Sequence, residues 1–229
     1  MRCVVLGDSL VGGAAAGDGA LSRALLPLLR DAGLRAEAIG VGGSTVANWM
    51  RASGLDCPGR GAVFGRWGRG SAMPPLDHEA QHRAQLAALA DAGDAFVVSL
   101  GTNDFNSQRP PKMWAAQAGA LLDALPARAP VVWLWSNDLP HQQRQREAAA
   151  ALLRREADAR WPGRLLLLSG QGSGCYRRGA VHPTVREHAR WLERHRAVLL
   201  RHLALGRRDV LARIIEAVGA ALGLAGGFR

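Results

Sequence analysis

Five short, predominantly apolar runs recur along the chain, at residues 3–6, 35–41, 95–100, 130–135 and 164–168. Each has the length of a strand and little polar face, as expected of strands covered on both sides. Between and beyond them lie stretches of helical periodicity at 21–32, 79–92, 111–125, 141–160 and 184–203. The first places Leu25, Leu28 and Leu29 on one face, and the last places Trp191, Val198 and Leu199 on one side. Parallel strands need a crossover, usually a helix, so this alternation with short connections predicts an α/β domain built on a parallel sheet. No internal repeat is present. At 229 residues the chain fits one large domain, since single cores run up to ~250 residues.

Two segments break the rhythm. Residues 51–76 are rich in Gly and Pro and carry Arg60, Arg66, Trp67 and Arg69. That is too long for an ordinary connection and reads as a functional loop or lid. Its arginines and Trp67 suit an anionic or sugar-bearing substrate about as well as they suit a solvated loop. Residues 207–224 read as a second C-terminal helix with Val210, Leu211, Ile214, Ile215, Val218 and Leu222 on one side. Packing on its own domain is the expectation for it, with docking to a partner or a second copy as the alternative.

The formal charge of +10 invites a nucleic-acid reading. Against it, the arginines are spread along the whole chain and Lys112 is the single lysine, which is the habit of a GC-rich coding sequence. Aromatic residues make up 5% with a single Tyr, and neither zinc-finger spacing nor an RNA-recognition aromatic signature occurs. No nucleic-acid partner is expected. Three cysteines, Cys3, Cys57 and Cys175, form no disulfide framework; Cys3 reads as buried, and the other two could pair only in an oxidising compartment. The opening apolar run is too short for a signal peptide, and no run of ~20 apolar residues would span a membrane. As given, the chain reads as soluble and cytoplasmic, with secretion left open should a leader precede it.

Ligands of open α/β sheets bind outside the carboxyl ends of the strands. The residues there are Gly7-Asp8-Ser9-Leu10 after the first run, Gly40-Val41-Gly42-Gly43-Ser44-Thr45 at the end of the second, and Gly101-Thr102-Asn103-Asp104 after the third. A loop after the fifth leads to His182-Pro183-Thr184 and a helix start. One rim thus collects a serine, glycine-rich backbone, an asparagine and a histidine, the parts acyl transfer needs. A serine hydroxyl is a weak nucleophile until a base takes its proton, and a histidine suits that role near neutral pH. The oxyanion of the tetrahedral intermediate needs fixed donors, which the N–H of Ser9, the N–H of Gly43 and the Asn103 amide can supply.

Taken together, the four blocks resemble those of the SGNH hydrolases, also called GDSL esterases and lipases. Gly7–Leu10 matches the first block, Gly40–Thr45 the second, Gly101–Asp104 the third, and His182-Pro183 the end of the last, Asp-x-x-His-Pro. The resemblance implies a flavodoxin-like three-layer α/β/α sandwich with a mostly parallel five-stranded sheet over residues 1–204. An inserted loop at about 51–78 and a C-terminal helical extension at 205–229 lie outside it. It implies Ser9 as nucleophile, His182 as base, Gly43 and Asn103 as oxyanion donors, and no cofactor or metal. The expected activity is hydrolysis of a short acyl ester, such as an O-acetyl group on a carbohydrate or metabolite. Acyl transfer from the same Ser–His site, or a non-catalytic module of a larger assembly docked through the C-terminal helix, are the alternatives.

The chain departs from this pattern at Gly179, which stands where the last block has aspartate, beside the cationic Arg177 and Arg178. The usual carboxylate orients the base; its replacement by an amide costs a serine protease about 10⁴ in kcat. Three readings follow, in order: a backbone carbonyl holds the ring in a Ser–His dyad, Asp138 after the fourth run substitutes, or the site only binds. Asp8 and Asp104 read as organisers of their loops. His78, His82, His141, His188, His195 and His202 read as surface residues, and Glu187 likewise. The i, i+4 pair His78 and His82 has no further metal ligands nearby. Trp133 and Trp135 alternate on one strand and are expected under a helix, whereas Phe105 and Trp114 are placed on the cleft wall.

Overall fold

The computed structural model describes residues 1–12, 20–51, 54–55, 63–67, 71–72 and 93–221. Its five apolar runs become the strands β1 (Arg2–Gly7), β2 (Arg35–Val41), β7 (Ala95–Ser99), β8 (Val131–Trp135) and β9 (Leu165–Ser169), all parallel. Four further strands, β3 (Met50–Arg51), β4 (Gly54–Leu55), β5 (Val63–Trp67) and β6 (Ser71–Ala72), are described between β2 and β7 in the sequence. The parallel strands run in the order β2-β1-β7-β8-β9, which is the flavodoxin-like order, with the first strand near the middle. Registers such as Val5 opposite Ala38 and Val97 keep the carboxyl ends of β1, β2 and β7 level, so the loops that leave them share one rim.

Each strand divides its side chains between two apolar layers, as the two-residue period requires. Val4, Leu6, Ile39, Phe96, Val98, Val131, Trp133 and Trp135 face one side. There they meet Trp114, Ala118 and Leu121 of α4 (Pro111–Ala124) and Ala149, Ala150 and Leu153 of α5 (Gln143–Arg160). Cys3, Val5, Ala38, Val97, Val132 and Leu134 face the other side. They meet Leu21, Leu25 and Leu29 of α2 (Ala20–Asp31) and Trp191, Leu192, Leu199 and Leu203 of α6 (Val185–Ala221). Two short helices, α1 (Ser9–Gly12) and α3 (Thr102–Asn106), begin at the rim. The result is the expected three-layer sandwich. Among the described residues, no helix is long and apolar enough to cross a membrane.

Several details depart from the sequence expectation. The segment read as a loop or lid contributes strands: β5 pairs antiparallel with β2, and β6 with β5, so the sheet has seven strands. Arg66 and Trp67 lie on β5, with Arg66 opposite Ala38, while Arg60 and Arg69 fall outside the described residues. The helix expected at 79–92, with His78 and His82, and Cys57 also fall outside them. The two expected C-terminal helices are one: no proline lies between 203 and 207, and α6 runs on through Gly206. Val198, placed with Trp191 and Leu199, is instead 40% exposed on the edge of the buried stripe.

Candidate active site

Ser9 is the first residue of α1, directly after β1. The turn is drawn by Asp8, whose carbonyl accepts the N–H groups of Val11 and Gly12 at 3.0 and 2.8 Å and whose Oδ1 accepts that of Leu10 at 2.9 Å. This is the capping role expected of Asp8. Gly12 and Gly40 let α1 press backbone to backbone on the end of β2. A Cβ at Gly12 would lie 2.4 Å from the Gly40 oxygen, and one at Gly40 2.1 Å from the Gly12 nitrogen. The serine block and the glycine-rich block are adjacent for that reason.

The second and third blocks are stitched together by two hydrogen bonds. Asn103 Nδ2 donates to the Ser44 carbonyl at 2.9 Å, and Asp104 Oδ2 accepts the Val46 N–H at 3.0 Å. Asp104 is buried and pairs with Arg109 at 3.4 Å, again an organiser of its loop. Gly43 has φ +73 and is exposed. The N–H groups of Ser9 and Gly43 make no hydrogen bond among the described residues.

His182 closes the arrangement: its Nε2 lies 2.9 Å from Ser9 Oγ, although 173 positions separate the two in the chain. Ser9 is partly buried and His182 exposed, so the pair opens to solvent. With the serine hydroxyl donating to Nε2, the imidazole carries its proton on Nδ1. Neither bond expected for an orienting partner is present among the described residues. No carbonyl accepts from the ring, and the Asp138 carboxylate is engaged elsewhere, with Gln171 Nε2 at 2.7 Å and the Gly172 N–H at 3.3 Å. What Asp138 and its neighbour supply is main-chain support. The Gly179 N–H donates to the Asp138 carbonyl at 2.7 Å, and Asn137 Nδ2 donates to the Val181 carbonyl at 3.2 Å.

Behind the rim lies a buried guanidinium that the sequence reading passed over. Arg146 on α5 is 2% exposed; its Nη1 donates to Asn137 Oδ1 at 2.7 Å and its Nε to Gln142 Oε1 at 3.0 Å. Burial lowers it to about 10, opposed by the nearby Asp8 and Asp138 charges. No local signal marks it, because residues 141–160 carry four other arginines in similar surroundings, at 144, 154, 155 and 160, and only the packing of α5 singles one out. Glu187, read as a surface residue, bonds three groups around the His182 turn, and here a signal existed: Thr184-x-x-Glu187 ahead of an apolar run is a capping box.

Other expectations are corrected. Phe105 and Trp114 do not line a cleft; both are buried, with ring centroids 5.6 Å apart, and Trp114 packs 5.2 Å from Trp133 and from Trp135. Trp133 and Trp135 lie under α4 as expected, both indole N–H groups donating to the Leu100 carbonyl at 3.0 Å. His188 is buried rather than on the surface, 3.3 Å from the Tyr176 hydroxyl, and desolvation lowers it to about 4. Helix periodicity alone does not say how far around the helix the neighbouring chain wraps, and here the segment before His182 covers that face. Cys3 is buried as expected, and Cys175 is also buried and free.

No protein-family model and no curated protein sequence matches the chain. Solved structures share its fold. TesA aligns with a TM-score of 0.56 at 20% identity, over 89% of this chain and 100% of that one. A carbohydrate acetylesterase family member from Sinorhizobium meliloti aligns with 0.54 at 19% identity, over 89% and 100%. A candidate lipolytic protein of the G-D-S-L family from Desulfitobacterium hafniense aligns with 0.54 at 12% identity, over 86% and 98%. The fold is therefore that of the SGNH hydrolases.

Proposed function

We propose that the chain is a serine esterase of the SGNH type that hydrolyses a short acyl ester, such as an O-acetyl group on a carbohydrate or metabolite. The observation that carries this reading is the 2.9 Å contact between Ser9 Oγ and His182 Nε2, at the rim where the fold collects its four blocks. The likeness in fold to TesA and to an acetylesterase family member supports it.

In this reading Ser9 Oγ bonds to the acyl carbon while its proton passes to His182 Nε2. The N–H groups of Ser9 and Gly43 and the second Nδ2 hydrogen of Asn103, the first being held by Ser44, receive the oxyanion. The bond to the alcohol then breaks, and the imidazolium returns the proton to the leaving oxygen. Water attacks the acyl-enzyme by the same route, giving the acid and free Ser9. No cofactor enters these steps. Ser9→Ala is expected to abolish hydrolysis of p-nitrophenyl acetate by the purified chain; full activity in that variant overturns the assignment.

A further inference from the structure

The turn that carries His182 is gripped at both ends by one carboxylate. Glu187 Oε2 accepts the N–H of Thr184 at 2.7 Å and its hydroxyl at 2.8 Å, while the Glu187 N–H donates back to Thr184 Oγ1 at 3.2 Å. That half is the capping box at the start of α6. An ordinary capping box ends there. Here the other oxygen, Oε1, reaches ten residues back and accepts the N–H of Arg177 at 2.7 Å. The two contacts close a ring around residues 177–184, the span that includes Gly179 and His182. Inside the ring, Gly179 and Val181 are tied by their main chain to Asp138 and Asn137. The Thr184 and Arg177 N–H groups hold the Glu187 carboxyl below its ordinary range, so it is charged wherever a neutral histidine is available.

We propose that Glu187 is the positioning residue of this site. Acting through His182, it fixes the turn from its two ends and so holds the imidazole on Ser9 in a chain that has glycine where an orienting aspartate would stand. The proposal rests on reading His182 as the base. Orientation of a base matters steeply, since a displacement of about 1 Å can cost about 100-fold in rate.

The test is a set of kinetic and exchange measurements on the full chain. With p-nitrophenyl acetate, Glu187→Ala is expected to lower kcat by about 10- to 100-fold with KM little changed. Glu187→Gln keeps the side chain's shape and one good acceptor, turns an amide NH₂ toward one N–H donor, and should fall between; it also stands in should the alanine variant not fold. In a His182→Ala background Glu187→Ala should cost nothing further, because a residue that acts through the imidazole has nothing left to position. An equal cost in both backgrounds, or a loss confined to KM, overturns the proposal. Amide hydrogen exchange reads the same ring without activity: the Arg177 and Thr184 N–H groups should exchange at least about tenfold faster in either Glu187 variant than in the parent chain. Unchanged exchange overturns the clamp even if the chain hydrolyses no ester. Inactivity of the parent, or full activity of Ser9→Ala, instead overturns the esterase reading and leaves the exchange result to decide the ring.

Discussion

Asp8 sits one residue before Ser9 and reaches no solvent. One carboxyl oxygen caps α1 and the other, Oδ2, has no hydrogen-bond partner among the described residues. Burial raises the carboxyl from 3.8 to about 7, with Asp104 adding to the rise and the Leu10 N–H and Arg146 opposing it. The sign of the pH effect follows. Below the unfolded value both states hold the proton. Between about 4 and 7 the folded chain keeps a proton that the unfolded chain has lost, so Asp8 makes stability fall as pH rises through that window and flatten above it. Asp8→Asn retains an acceptor for Leu10 and removes the titration. Its denaturation midpoint, measured against the parent in guanidinium, should climb across that window and run parallel above it; a constant difference throughout would count against a raised Asp8. The motif around Asp8 was legible in the sequence, but its burial beside Asp104 and Arg146 was not, because those neighbours come from other elements.

At the scale of elements, β8 and α4 show where sequence pattern stops. Trp133 and Trp135 are two apart on a strand, so a common face follows from backbone geometry alone. Trp114 and Phe105 follow the third block closely, which suggested the cleft, yet α4 and α3 turn them onto the strand tryptophans instead. Trp114 is therefore a core residue, and Trp114→Phe should lower unfolding free energy by about 1–3 kcal/mol by chemical denaturation while leaving KM for p-nitrophenyl acetate unchanged. A selective rise in KM at full stability would return Trp114 to the cleft. The edge of the sheet was hidden for a different reason. β5 is five residues long between Gly- and Pro-rich flanks, and its pairing with β2 is a long-range contact that no local window contains.

For the whole molecule, α6 runs unbroken from Val185 to Ala221, with Trp191, Leu192, Leu199 and Leu203 buried against the sheet. We propose, from the extent of the sequence resemblance, a division into a catalytic body at 1–204 and an extension at 205–229. A chain truncated after residue 204 should keep the Ser9–His182 site and hydrolyse p-nitrophenyl acetate at close to the parent rate. Light scattering on the two chains then separates the roles of the extension: a drop in oligomeric mass on truncation marks it as an association element, and loss of folding would refute the division.

By itself the sequence determined the number and character of the parallel strands, the helices that alternate with them, and the kinds of group left at each strand end. These follow from side-chain type and periodicity over a few residues, where backbone geometry leaves little choice. The tertiary structure alone decided which of those groups meet. It brought Ser9 to His182, buried one arginine of a polar helix, and turned Glu187 from a helix cap into a bridge across the histidine turn. Contacts of that kind depend on how distant elements pack, and burial sets the charge state of a group only once its neighbours are in place.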